Sequence, residues 1–187
     1  MLMGALKAIA WPPGPWAIDT APALVGGATA VFSEDRRYRY ALTREWGPGE
    51  WACWLMLNPS TADAFDDDAT IARCIKRTQA WGGYGGLVVV NLFAFRATDP
   101  AALVGHPDPV GTSNDVFIRA AVAAAGLVIV AWGGPGDLCG RDEQVRPLIE
   151  GARPACLGVT VNGQPRHPLY LRANAELRPY LGREAAA

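Results

Sequence analysis

No stretch of this 187-residue chain approaches the roughly 18–20 consecutive apolar residues that a membrane-spanning helix needs. Nor is there a surplus of either charge: 17 Lys and Arg stand against 18 Asp and Glu, a formal net charge of -1. No global basic field therefore points to nucleic acid, although a local basic patch is compatible with that balance. The four cysteines, Cys53, Cys74, Cys139 and Cys156, fit no zinc-ligand spacing and have no histidine beside them. No metal and no other cofactor is expected. A secretory leader is not expected either, because Trp11-Pro12-Pro13-Gly14-Pro15 interrupts any apolar core after Lys7. Phosphate-loop, G-x-G-x-x-G and EF-hand spacings are missing, as are internal repeats. These absences lead to the expectation of a soluble cytoplasmic protein with reduced thiols, acting as a monomer and not at a membrane.

What is present is apolar residue in quantity: half the chain is apolar or aromatic, enough for one domain with a sizeable core. Residues 1–27, rich in Pro, Gly and Ala, read as an irregular arm, and 28–187 as a single α/β domain. The central feature is the run Trp54-Leu55-Met56-Leu57, which ends abruptly in Asn58-Pro59-Ser60-Thr61. Its length and character are those of a buried strand, 51–58, and a residue before proline is biased to extended backbone. Two more apolar runs end comparably, 87–91 in Asn91 and 127–132 in Trp132 followed by Gly133-Gly134-Pro135-Gly136. Strand-like segments at 28–32 and 38–46 precede them, and Gly47-Pro48-Gly49 suggests that 38–58 is an antiparallel hairpin. Ile71, Cys74, Ile75, Thr78 and Trp81 recur at helical spacing after Asp68, with Arg73, Lys76 and Arg77 largely on the other side. Further helices are expected from Ser113 or Asn114 to about Ala125 and over 141–151, with a last strand at 155–159. Strands alternating with helices imply βαβ units and a mainly parallel sheet.

Ligands in open α/β sheets bind outside the carboxyl ends of the strands, so the polar strand tips are the candidate site. Asn58 can orient water or bind a carbonyl, and equally can serve an Asx-Pro turn. Asn91 can present donor and acceptor to a planar amide edge, or satisfy loop backbone. His167, between Arg166 and Pro168, can act as general acid or electrophile, or lie in a surface loop. His106 is a weaker candidate. Asp63, Asp66, Asp67 and Asp68 can hold a divalent cation with a phosphate, supply a single general base, or form a solvated turn before a helix. Arg141, Arg166 and Arg172 can contact phosphate, and Phe65 or Phe93 can stack on a planar ligand.

Two resemblances follow from these motifs. Residues Leu57-Asn58-Pro59-Ser60-Thr61-Ala62-Asp63, together with Val90-Asn91-Leu92-Phe93-Ala94-Phe95-Arg96-Ala97-Thr98, resemble the bacterial and phage domain-of-unknown-function family DUF1643. More distantly, the order of motifs is similar to that of the uracil-DNA glycosylase superfamily. Asn58-Pro59 stands where that superfamily has its water-activating segment, and Val90-Asn91-Leu92 where its base-reading Asn lies. Ala131-Trp132-Gly133 matches a Leu-Trp-Gly-like strand end, and His167-Pro168 its late His-Pro loop. The resemblance implies a three-layer α/β/α fold with a central, mainly parallel four-stranded sheet and a flanking β-hairpin. It also implies a nucleobase-containing substrate, DNA among the options, whose N-glycosidic bond is hydrolysed. Asn58, His167 and Asp63 would be catalytic. Pro59, Ser60, Phe65, Asn91, Phe93, Trp132, Gly133, Arg166 and Leu171 would line the substrate. The chain departs from that pattern in having Asn rather than Asp at 58, and Leu169 where a phosphate-gripping Ser is expected. A non-catalytic nucleotide or nucleic-acid binding module, and a metal-dependent nucleotide phosphohydrolase built on residues 63–68, are the alternatives.

Overall fold

The computed structural model describes residues 6–22 and 26–182. Its backbone is one mixed sheet of eight strands in the order β1-β2-β3-β5-β4-β6-β7-β8. The strands are β1 (Ala17–Pro22), β2 (Gly27–Phe32), β3 (Arg39–Glu45), β4 (Glu50–Met56), β5 (Tyr84–Asn91), β6 (Ala125–Val130), β7 (Ala155–Cys156) and β8 (Arg178–Pro179). Three α-helices accompany them among the described residues: α1 (Ala69–Trp81), α2 (Asn114–Ala124) and α3 (Arg141–Ile149). β4 pairs in parallel with both β5 and β6, and β6 with β7. The pairings of β1 with β2, β2 with β3, β3 with β5 and β7 with β8 are antiparallel.

Side-chain alternation along the strands sorts the core into two faces. Cys53, Leu55, Val88, Val90, Val128 and Val130 face α2 and α3 through Phe117, Ile118, Val145 and Ile149. Ala52, Trp54, Met56, Leu87, Val89 and Ile129 face α1 through Ile71 and Cys74. Residues that read as unbroken apolar runs are thus divided between two helical layers. A fully buried residue such as Leu55 contributes on the order of 2–5 kcal/mol by the cost of its truncation to Ala.

Three expectations are corrected. The sheet is one mixed sheet of eight strands rather than a four-stranded sheet with a separate flanking hairpin, because antiparallel pairing continues it through β3, β2 and β1 on one side and β8 on the other. The arm is not wholly irregular: β1 lies within it, while residues 1–5 and 23–25 fall outside the described part. Trp11 and Trp16 anchor the arm on Phe117, with ring centroids 5.5 and 5.2 Å away. Finally, 38–58 is not a hairpin. β5 lies between β3 and β4, and the paired hairpin is β2–β3. The turn after β3 crosses the start of β5, where the amides of Trp46 and Gly47 both donate to the Gly85 carbonyl. A Cβ on Gly85 would lie 2.1 Å from the Gly47 carbonyl oxygen, so the crossing requires glycine there.

Asp68 caps α1, its Oδ1 accepting from the amides of Thr70 and Ile71 at 2.9 Å each. The expected apolar face of α1 is present, with Trp81 stacked on Trp54 at 5.7 Å and the Trp54 indole donating to Thr78 Oγ1 at 3.0 Å. Arg77, expected on the solvent side, is buried. Its guanidinium donates to the carbonyls of Leu171, Arg172 and Ala173, which binds the late segment to α1.

Candidate functional site

β4, β5 and β6 end side by side, and beyond their carboxyl ends on the α1 face lies a cavity of about 640 Å³. Met56, Val89 and Ile71 form its apolar base, and the first turn of α1 forms one wall. Among the expected residues, Asn58, Ser60, Asn91, Trp132, Gly133, Arg166 and His167 all line it. They come from four separate segments brought together by the parallel strands and by the loop that carries His167.

Asn91 is the last residue of β5 and is 1% exposed. Its carbonyl accepts from Asn114 Nδ2 at 2.9 Å, which holds the strand end in place. Its own Nδ2 is buried with no partner among the described residues. An unpaired buried amide donor is unfavourable by about 1–3 kcal/mol unless something binds it. Asn58 behaves differently. Its Nδ2 donates to the carbonyls of Pro59 at 3.1 Å and Ala97 at 2.7 Å, tying two loops together. Its Oδ1 accepts no hydrogen bond among the described residues, and Asn58 lines the cavity.

His167 begins a short 3-10 turn, and its Nδ1 accepts from the Leu169 amide at 3.4 Å. A neutral ring in that arrangement carries its proton on Nε2. Burial holds its pKa below the ordinary 6.5, with the Asp68 carboxylate acting in the opposite direction. Gly133, at φ +80°, brings the end of β6 against His167, where a Cβ would lie 3.5 Å from the His167 Cβ. The Gly133 amide donates to the Pro165 carbonyl at 2.8 Å, so it is not available to a phosphate. The Trp132 indole donates to Gln164 Oε1 at 2.6 Å, and Gln164 Nε2 donates to Asp142 Oδ2 at 2.7 Å.

Other expected residues lie elsewhere. Asp63 accepts from the amides of Phe65 and Asp66 through Oδ1, and those bonds hold its carboxyl below the ordinary carboxylate range. It is a turn residue outside the cavity lining. Phe65 is 68% exposed and lies outside the cavity lining, whereas Tyr170, also exposed, is part of it. Phe93 is buried in the core on the α2 face, because β5 ends at Asn91 and the alternation that would keep residues 91 and 93 on one face of the sheet ends with it. Pro59 is buried and outside the lining, and Leu171 packs on the α1-side core. Arg141 is structural: its Nε donates to the Leu92 carbonyl at 2.8 Å and its Nη2 pairs with Asp115. His106 stacks on Phe95 at 3.9 Å and is not part of the lining.

Two more charged residues line the cavity: Asp68, one of the four acidic candidates of the 63–68 loop, and Arg39, which the sequence did not single out. Asp68 faces the cavity from the N-terminus of α1. Arg39 is 2% exposed, with Nη1 donating to the Ala62 carbonyl and burial lowering its pKa to about 10. In the sequence it is one position of an alternating strand, and no local signal separates it from Arg37 or Arg44. Among the described residues, no group of three His, Cys, Asp or Glu is placed to hold a metal ion, and no helix is long and apolar enough to cross a membrane.

Fold and site define a mixed α/β domain with a polar cavity at the carboxyl ends of its central strands. The chain belongs to the family described as protein of unknown function (DUF1643), whose model matches residues 39–169. No curated protein and no solved structure matches it.

Proposed function

We propose that this protein is a nucleobase-recognising hydrolase that cleaves an N-glycosidic bond, in a base-containing polymer or nucleotide. The proposal includes a relation of its parallel strands β5-β4-β6-β7 and their helices to the uracil-DNA glycosylase superfamily. It also takes the protein to act as a cytoplasmic monomer without a metal. The observation that carries the reading is the unpaired buried Nδ2 of Asn91, within a cavity that also holds Asn58 and a neutral His167.

In this mechanism Asn91 donates to an oxo group on the base edge. Asn58 Oδ1 accepts a hydrogen bond from the attacking water, which forms the new bond to the anomeric carbon. The carbon–nitrogen bond breaks and its electron pair leaves with the base, where the Nε2–H of His167 donates to the developing anion. An amide cannot readily take the water's proton. Asp68 is the carboxylate in the cavity and takes the role that the sequence offered to Asp63. The phosphohydrolase reading is less favoured, because Asp63 is engaged by its own turn and Asp67 pairs with Arg44 at 2.7 Å.

The test is base release from single- and double-stranded DNA carrying uracil, hypoxanthine or xanthine, and from the corresponding nucleotides, with and without EDTA. Release that resists EDTA and is lost in His167→Gln and Asp68→Asn is the expected result. Release unaffected by either substitution would overturn the site assignment, and release abolished by EDTA would favour the metal-dependent alternative.

A further inference from the structure

Two buried donors on the cavity wall have no partner among the described residues: Nδ2 of Asn91 and Nε of Arg39. They lie close together in the fold. β3 runs antiparallel beside β5, and the Arg39 amide donates to the Ala94 carbonyl at 2.9 Å, three residues beyond Asn91. The Arg39 guanidinium has one hydrogen bond, to the neutral Ala62 carbonyl, and forms no ion pair among the described residues. The charges that act on it are Asp68 and Asp63, which favour its protonated form, and Arg96 and Arg44, which oppose it. Asp68 and Asp63 direct Oδ1 to backbone amides of their own segments, and Asp67 pairs with Arg44. A buried guanidinium without a paired anion is unfavourable, and an anionic acceptor entering the cavity relieves it.

We propose that Arg39 and Asn91 form an oxyanion-binding subsite in this cavity. The chemistry is a negatively charged oxygen, and it has two sources: the phosphate of a nucleotide, or the oxo group of a base that carries negative charge. The choice of ligands rests on the nucleobase reading above, but the subsite itself requires no bond to be cleaved.

Isothermal titration of the whole chain tests this, with inorganic phosphate, a nucleoside 5′-monophosphate, the matching nucleoside, and the free oxo-base at pH values below and above its ionisation. Arg39→Met and Arg39→Lys are compared with the unsubstituted protein, with circular dichroism to establish that each is folded. The expected result is saturable binding that weakens by about ten- to hundredfold in Arg39→Met, the loss of one charge-assisted hydrogen bond, and is partly kept in Arg39→Lys. Asn91→Leu is expected to weaken the same ligand and serves where Arg39→Met does not fold. Binding of phosphate and the monophosphate identifies phosphate as the source. Binding of the base that strengthens on ionisation, without phosphate binding, identifies the oxo group. Absence of binding by all probes, or binding unchanged in both variants, overturns the proposal. Binding that depends on Arg39 without any base release would keep the subsite and remove the hydrolase reading. Base release indifferent to Arg39 would do the reverse.

Discussion

The Trp132 indole N–H donates to Gln164 Oε1 at 2.6 Å, and through Gln164 the cavity wall at the end of β6 is tied to Asp142 on α3. All three residues are buried. Gln164→Leu removes both bonds and leaves the indole N–H buried without its acceptor. A loss of about 1–3 kcal/mol in urea unfolding is expected. Unchanged stability would show that the link to Asp142 does not hold the wall.

Asn91→Leu separates function from stability. Leu is similar in size, and it removes a buried donor that has no partner among the described residues. The folded protein without ligand is expected to gain about 1 kcal/mol or lose nothing, while ligand affinity falls. Thermal unfolding paired with ligand titration reads both effects. A variant that is clearly destabilised would mean that Asn91 is a structural amide.

Arg77→Met removes three hydrogen bonds to the carbonyls of residues 171–173. A loss of about 2–3 kcal/mol is expected, together with faster proteolysis close to those residues. If cleavage there is no faster than in the unsubstituted protein, Arg77 is not what holds the segment.

His167 titrates below its ordinary value of 6.5 because burial disfavours the imidazolium. The unfolded chain therefore binds this proton more readily than the folded one. The contribution to stability is fully present above pH 6.5 and is lost as the pH falls through the folded-state pKa. His167→Gln is expected to flatten the acid side of the stability profile between pH 7 and 5, measured by denaturant midpoints. An unaltered profile would show that His167 is not the group responsible.

Gly85→Ala places a Cβ against the Gly47 carbonyl, where the turn crosses β5. A destabilisation of about 1–3 kcal/mol is expected in chemical unfolding, from backbone that must shift to admit the methyl group. A neutral result would mean that the crossing has slack.

Much of the sheet's centre was legible. The runs ending at Asn58, Asn91 and Trp132 are apolar, bounded by turn residues and separated by a helical period, so β4, β5, β6 and α1 follow from local pattern. The placement of Asn58, Asn91 and Gly133 beside one another followed from their positions at strand ends, whereas His167, in a late loop, was joined to them only by the resemblance. The edge strands did not follow: β1 and β8 have no run of apolar residues, and their pairing depends on a neighbour already being in place. The hairpin expectation at 38–58 was reasonable for a turn of two glycines around a proline. It failed because β5, far along the chain, competes for the same strand edge.

The sequence by itself determined that this is a layered α/β domain with amides at its strand ends and a histidine in a late loop, because burial periodicity and turn chemistry are local. The tertiary structure alone decided which polar groups reach the cavity. It turned Phe93 into the opposite core and left Phe65 in solvent. It engaged Asp63 in its own turn, and it brought Arg39 and Asp68 to the wall. Those outcomes depend on strand order and register, which are set by contacts between residues far apart in the chain, and no local pattern encodes them.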